Sequence, residues 1–360
     1  KLGPFELWQA AGWQQVAGWI AEDIAAGKAM AKAPLPAWVT DGRKGVHGPE
    51  GSFSASDDTM HTRSTLAVYC RQLFPEVVLG ERQGDRGTTV FEDEGVRLWH
   101  QGDRIAIVSF KSKMHSLGTE VLAGLNRAID EAEANFDALV VWHEAPFAVG
   151  ATPKAALESL KAGRIDEFER MVALFQQTSQ RLKYSLVPTV AAVEGMALGG
   201  GCEFVMHSQR VVAAFESYIG LVEVGVGLLP AGGGLKELAQ RANAWAKGGD
   251  AFPELGRLFR QVAMADVSRS AEHARELGYL RPADVVVLHP AELLHVAKAQ
   301  ARAMAESGHR PPLAPVPLSL RGAARLEIAP ASLRDVTIDV SAGDLATATL
   351  TGAWDAPTGG

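Results

Sequence analysis

The chain has 360 residues, 47% of them hydrophobic and 21% charged, with a formal net charge of −7 at neutral pH. That balance suffices to bury full cores in two or three domains without disulfide or metal staples, and it excludes a wholly disordered chain. An acidic balance offers no broad basic surface for nucleic acid, which leaves room only for a local cationic patch that takes a small anionic ligand.

Two cysteines, Cys70 and Cys202, stand far apart and in no CxxC or Cys/His cluster. A disulfide framework and a zinc module are therefore excluded, and a reducing, cytoplasmic compartment is expected. No stretch reaches about 18 uninterrupted apolar residues, so no membrane span is expected. Lys1-Leu2-Gly3-Pro4 has neither the basic region nor the apolar core of a signal peptide, and no initiator Met. We read the chain as a fragment of a longer polypeptide, or a trimmed one.

Residues 1–80 have helical, polar character: Phe5, Leu7, Trp8, Trp13, Val16, Trp19 and Ile20 recur at helix spacing. Thr40–Thr59 is rich in Gly, Ser and Asp and predicts a long loop. A second short helix is expected over Thr62–Leu73. From residue 93 to about 308, short β-branched runs alternate with longer helical patterns. Strands are expected at Arg104–Phe110, Ala138–Trp142, Thr189–Val193 and Arg210–Phe215. Helices are expected at Leu117–Ala134, Ile165–Lys183, Glu203–His207 and Ala291–Glu306, the last with Leu293, Leu294, Ala297 and Ala301 on one face. Such alternation argues for an α/β domain. Pro311, Pro312, Pro315 and Pro317 form a linker, and the residues after it carry no functional signal. Three regions result: 1–92, 93–308 and 309–360.

The glycine-rich runs fail the nucleotide fingerprints. Gly225-Val-Gly227 runs on to Pro230 where a dinucleotide site needs its third Gly, and Gly199-Gly200-Gly201 precedes Cys202-Glu203 rather than Lys-Ser/Thr. No GxSxG or HExxH occurs. What the three glycines do offer is a strand-to-helix junction that tolerates positive φ and lets a ligand approach the backbone. The helix that follows aims free N–H groups and its positive end at that ligand, a geometry suited to an oxyanion. A tight turn that merely lets helix and strand pack is the plain alternative. Glu203 lies in the first turn of that helix on an apolar run, and a helix and strand out and back can return Glu223 to the same sheet end. Paired carboxylates in apolar surroundings can serve as acid and base; alternatively, Glu203 is a helix N-terminal charge and Glu223 a solvated loop residue. The loop Ala145–Lys154 could add a second oxyanion donor at a strand end.

Taken together, these elements resemble the crotonase superfamily, specifically its enoyl-CoA hydratases. Gly195-Met-Ala-Leu-Gly-Gly-Gly-Cys-Glu203 resembles the central signature, and Val222–Gly234 the second one. Phe147-Ala-Val-Gly-Ala151 is similar to the first oxyanion loop, and Lys113-Met-His-Ser-Leu117 to the entry loop near CoA. The resemblance spans about residues 93–308 and implies an α/β crotonase core of repeated β-β-α units preceded by a small all-α segment. It implies that the Ala151 and Gly200 N–H groups hold the thioester oxygen and that Glu203 and Glu223 handle water and proton. Lys113, Gly150, Thr152, Lys154 and Gly199 would bind the CoA thioester. No metal or redox cofactor is implied for hydration, and a trimer-based homo-oligomer is. Family members that keep only one glutamate commonly do other chemistry such as isomerisation; both are present here. Thr152 departs from the acidic residue usual after the loop alanine, and Lys154–Lys183 is a longer helical insert than in single-domain hydratases. Leu2-Gly-Pro-Phe-Glu-Leu-Trp8 resembles the helical C-terminal domain of 3-hydroxyacyl-CoA dehydrogenases, which implies a fusion in dehydrogenase-first order with its NAD-binding Rossmann domain upstream. Enoyl-CoA isomerisation and a non-catalytic assembly module are the rival readings.

Overall fold

The structure is a computed structural model that describes residues 3–48, 50–62, 64–72, 87–150 and 163–312, together with the backbone of 333–340 and 348–354. It divides into two compact units, Lys1–Arg86 and Gly87–Gly360.

In the first unit, α1 (Pro4–Ala11) starts with Pro at its first turn, where the missing N–H costs nothing. Gly12, at φ 97°, ends it and starts α2 (Trp13–Ala25). Trp13 and Ala17 on one face of α2 form a small core with Val39 and Val46. The Trp13 indole N–H donates to the Val39 carbonyl at 2.9 Å, and Phe5, Trp8 and Trp38 crowd the same ring. The loop expected over 40–59 is in part a sheet: β1 (His47–Gly48), β2 (Gly51–Ser54) and β3 (Thr59–His61) pair antiparallel. The Gly, Ser and Asp that suggested a loop are the residues tight reversals need. Gly51, at φ 135°, faces the His61 carbonyl where a Cβ would overlap it. The helix expected over 62–73 is only α3 (Ala67–Cys70). Trp13→Ala removes the centre of this small core, a loss of about 3–5 kcal/mol. Limited proteolysis in native buffer should then cut within residues 4–61 of the variant and spare the wild type.

The second unit is built on one sheet. From one edge it runs β11 (Val285–Val287), β10 (Arg210–Gly220), β9 (Thr189–Leu198), β7 (Ala138–Val141), β6 (Ile105–Phe110), β5 (Val96–His100) and β4 (Thr88–Glu92). The strands from β11 to β6 pair parallel, and β6, β5 and β4 pair antiparallel. Ala138–Val141 is buried at every position, as a parallel strand covered on both faces must be. The covering helices are α4 (Thr119–Asn135), α5 (Ile165–Lys183), α6 (Gly200–His207), α7 (Gly234–Trp245), α8 (Phe252–Ala263), α9 (Ala271–Glu276) and α10 (Leu293–Glu306). Leu293, Leu294, Ala297 and Ala301 are the buried face of α10.

Two strands run further than the sequence pattern suggests. β9 continues from Val193 to Leu198 because Gly195 takes φ 68° and carries the strand past a kink. β10 follows it to Gly220 with a register shift between Ala213 and Ser217. This second stretch of β9 pairs on its other side with β8 (Ala148–Val149) rather than with β7. Residues 333–340 and 348–354 pair as an antiparallel hairpin.

Candidate active site

At the end of β9 the chain turns on Gly199, whose φ 55° and ψ −123° suit only glycine, and whose N–H bonds the Gly220 carbonyl at 2.9 Å. The first helical bond of α6 is Glu203 N–H to the Gly199 carbonyl, 3.0 Å. The N–H groups of Gly200 and the next two residues therefore have no partner within the helix and point out of its N-terminus. Each neighbouring glycine has its own steric reason. A Cβ on Gly200 would come within 2.7 Å of the Phe175 ring, and one on Gly201 would overlap the Ala148 carbonyl.

Glu203 is 3% exposed. Gly234 N–H donates to its Oε1 at 2.9 Å, and a Cβ on Gly232 would come within 2.3 Å of both its Oε2 and the Phe175 ring, so only glycine fits there. Burial, with the Glu223 charge second, pushes its carboxyl up to about 8, against the pull of the Gly234, Gly232 and Gly233 amides. Glu223 opens the turn Glu223–Val226 and is half-buried. Burial raises its carboxyl too, opposed by its own N–H and that of Val222. Its Oε1 lies 3.2 Å from where a Cβ on Gly199 would sit, and its Oε2 is buried without a hydrogen-bond partner. The structure thus brings Glu203 and Glu223 together beside the Gly199–Gly200 turn.

Because Glu203 is displaced upward on folding, the folded chain holds its proton more tightly than the unfolded chain does. Its neutral form is fully tolerated below about pH 4.5, and the penalty grows as pH rises to about 8. Glu203→Gln removes that penalty. The variant should exceed the wild type in stability by several kcal/mol at pH 9, at about 1.4 kcal/mol per tenfold change in the acid constant, and the gain should vanish near pH 4. Urea melts at the two pH values measure it.

The loop that approaches from the other side is held by backbone bonds. Gly150, at φ 65°, donates to the Leu198 carbonyl and accepts from Leu117 N–H, both at 2.9 Å. Its Cα is 3.5 Å from the position of a Gly199 Cβ. Ala151, Thr152 and Lys154 lie outside the described residues. His143 is fully buried, and burial pushes its imidazole down to about 3. The neutral ring must donate from Nε2 to the Phe147 carbonyl, which leaves Nδ1 to accept from Phe110 N–H. His115 packs on that ring at 3.9 Å and bonds the Pro146 carbonyl at 2.6 Å. It belongs to the turn Lys113–His115, where Met114 and His115 both take positive φ and Lys113 is exposed.

Sequence reasoning did not assign Phe175, the Gly232–Gly234 amides, His207 or Glu237 to the site. The run Gly232-Gly-Gly234 was a signal for the amides, since three glycines bring bare backbone to a neighbour. Nothing in local sequence marks Phe175, which arrives from another helix. Among the described residues no group of three His, Cys, Asp or Glu could hold a metal ion, and no helix is long and apolar enough to cross a membrane.

Residues 101–245 match the model of the enoyl-CoA hydratase/isomerase family. A protein of Bacillus subtilis (strain 168) named probable 3-hydroxyacyl-CoA dehydrogenase is 32% identical over 326 residues, 87% of this chain and 38% of its own length. A putative fatty acid oxidation complex trifunctional enzyme of Rickettsia prowazekii is 35% identical over 155 residues, 43% of this chain and 21% of its own. The chain thus spans well under half the length of both relatives. An enoyl-CoA hydratase structure from Geobacillus kaustophilus superposes with a TM-score of 0.50 at 21% identity, covering 61% of this chain and 77% of the other, which shows the fold. Fold and family match agree: residues 101–245, which match the enoyl-CoA hydratase/isomerase family model, lie within a unit that has the crotonase fold.

Proposed function

We propose that this domain is an enoyl-CoA hydratase, adding water reversibly across a trans-2-enoyl-CoA to give the 3-hydroxyacyl-CoA. The observation that carries the reading is the pair Glu203 and Glu223, one buried and the other half-buried, beside the N-terminus of α6. A buried carboxyl whose proton is held tighter by a neighbouring carboxylate lets the two share one proton at neutral pH. The ionised member takes a proton from water as its oxygen bonds the β-carbon. The π electrons move onto the thioester oxygen, which the N–H groups of Gly200 and Ala151 receive as an enolate. The protonated member then delivers its proton to the α-carbon, so that one water is added and the pair keeps one proton. The thioester delocalises the charge itself, so the step needs no metal or redox cofactor.

Lys113, Gly150, Thr152, Lys154 and Gly199 are proposed to hold the CoA thioester, with a trimer-based homo-oligomer as the assembly. The similarity to the Bacillus subtilis relative over most of this chain supports a parent polypeptide that also carries an NAD-dependent 3-hydroxyacyl-CoA dehydrogenase acting on the hydration product.

The test is incubation with crotonyl-CoA, following loss of the conjugated thioester absorbance and the product mass. A gain of one water supports the hydratase. A product of unchanged mass with a shifted double bond overturns it for the isomerase. A folded sample that binds no CoA thioester overturns it for the assembly module.

A further inference from the structure

His207 is 1% exposed and lies one helical turn beyond Glu203 on α6. Its Nδ1 sits 2.7 Å from the Glu203 carbonyl, which can only accept, so Nδ1 carries the proton. The opposite edge of the ring lies against the turn that serves the Glu203 carboxylate: a Cβ on Gly233 would come within 2.9 Å of both Cε1 and Nε2. Nε2 is buried with no hydrogen-bond partner and faces Glu237 Oε1 at 3.5 Å. That carboxylate is itself fixed by Lys183 at 2.6 Å and Lys236 at 2.9 Å. Lys183 ends α5, the helix that carries Phe175, and Glu237 lies in the first turns of α7. The imidazole is therefore wedged between the main chain of Glu203 and the glycine turn that donates to its side chain.

We propose that His207 is a positioning residue for Glu203, its ring edge propping the Gly232–Gly234 turn so that the Gly234 N–H meets the Glu203 carboxylate. The role rests on the hydratase reading only in so far as it concerns rate; the geometry of the turn stands apart from it. The neutral ring brings no charge to the site and acts by occupying space. Burial pushes the His207 imidazole down to about 4, and Glu237, Lys236 and Lys183 are the charged groups that face it. An aliphatic side chain of the same reach would lack the bond to the Glu203 carbonyl, and a shorter polar one would leave Gly233 unsupported.

The test uses His207→Ala and His207→Asn in the full chain. Asn can still donate to the carbonyl one turn back but does not reach Gly233. In both variants kcat for crotonyl-CoA should fall about tenfold with KM within about twofold. His207→Asn should recover most of the Tm that His207→Ala loses, yet none of the rate. In glycine-labelled protein the Gly234 amide should exchange at least tenfold faster in both. A rate that tracks Tm across the two variants overturns the proposal, as does an unchanged Gly234 amide in both. If the wild type hydrates nothing, the hydratase reading falls and the Gly234 amide alone decides the role of His207.

Discussion

Glu203→Gln and Glu223→Gln should each lower crotonyl-CoA hydration by about 10²–10⁴ while leaving thioester affinity nearly intact. Positioned acid and base groups contribute rate increases of that order. Each substitution keeps the shape and removes only the ability to exchange a proton. The two losses should not multiply in the double variant, because a pair that shares a proton fails as a unit once either member is gone. Steady-state rates give the first quantity, and calorimetry with butyryl-CoA, which cannot be hydrated, gives the second. Full turnover in Glu223→Gln would mean that one carboxyl suffices and that the two-carboxylate reading is wrong.

Gly201→Ala should cost about 3 kcal/mol of stability, at the upper end of what overpacking usually imposes. The added methyl would overlap the Ala148 carbonyl, which is main chain and sits in a strand paired with Ala197, so neither side can yield cheaply. Gly200→Ala offers an internal contrast. Its methyl meets the end of the Phe175 ring at 2.7 Å, and a ring can swing. That variant should melt closer to wild type but lose rate, since the displaced Phe175 ring and the Glu203 carboxylate both border Gly232. Urea melts of the two proteins separate the cases. Equal stability for Gly201→Ala and wild type would show that the loop and helix do not meet at this point.

Four strands of the parallel part of the sheet and four of its seven covering helices were readable because their patterns are local; β11, α7, α8 and α9 were not read. Ala138–Val141 is an apolar run of strand length, and the Ala-rich α10 shows its buried face at helical spacing. Ile165–Lys183 was placed at its observed bounds. Strand ends were harder to read. Glu194-Gly195 looks like a break, and the strand goes on because Gly195 pairs with Ser217 and the residues after it pair with β10 and β8. In the first unit, Gly48 and Gly51 suggest a loop until they are seen to close a hairpin. The turn residues around Gly199 and the carboxylate in the first turn of α6 could be read for the same local reason as the strands. The shell around that carboxylate could not. Phe175, His207 and Glu237 come from three different helices, and their meeting is decided by how the layers pack.

The kinked far half of β9 has a mechanical consequence. Within five residues, Glu194–Leu198, the chain accepts from Phe147, pairs with Ala148–Val149 on one side and Ser217–Gly220 on the other, and then delivers Gly199. The loop that carries Gly150, the N-terminus of α6 and the turn that bears Glu223 are thus all hinged on one short ribbon. A motion that shifts one of them carries the other two along. The turn Lys113–His115 joins that ribbon through Leu117 and Gly150. A displacement of that turn reaches the ribbon through this bond and moves it as a unit, so that the groups it carries keep their mutual spacing.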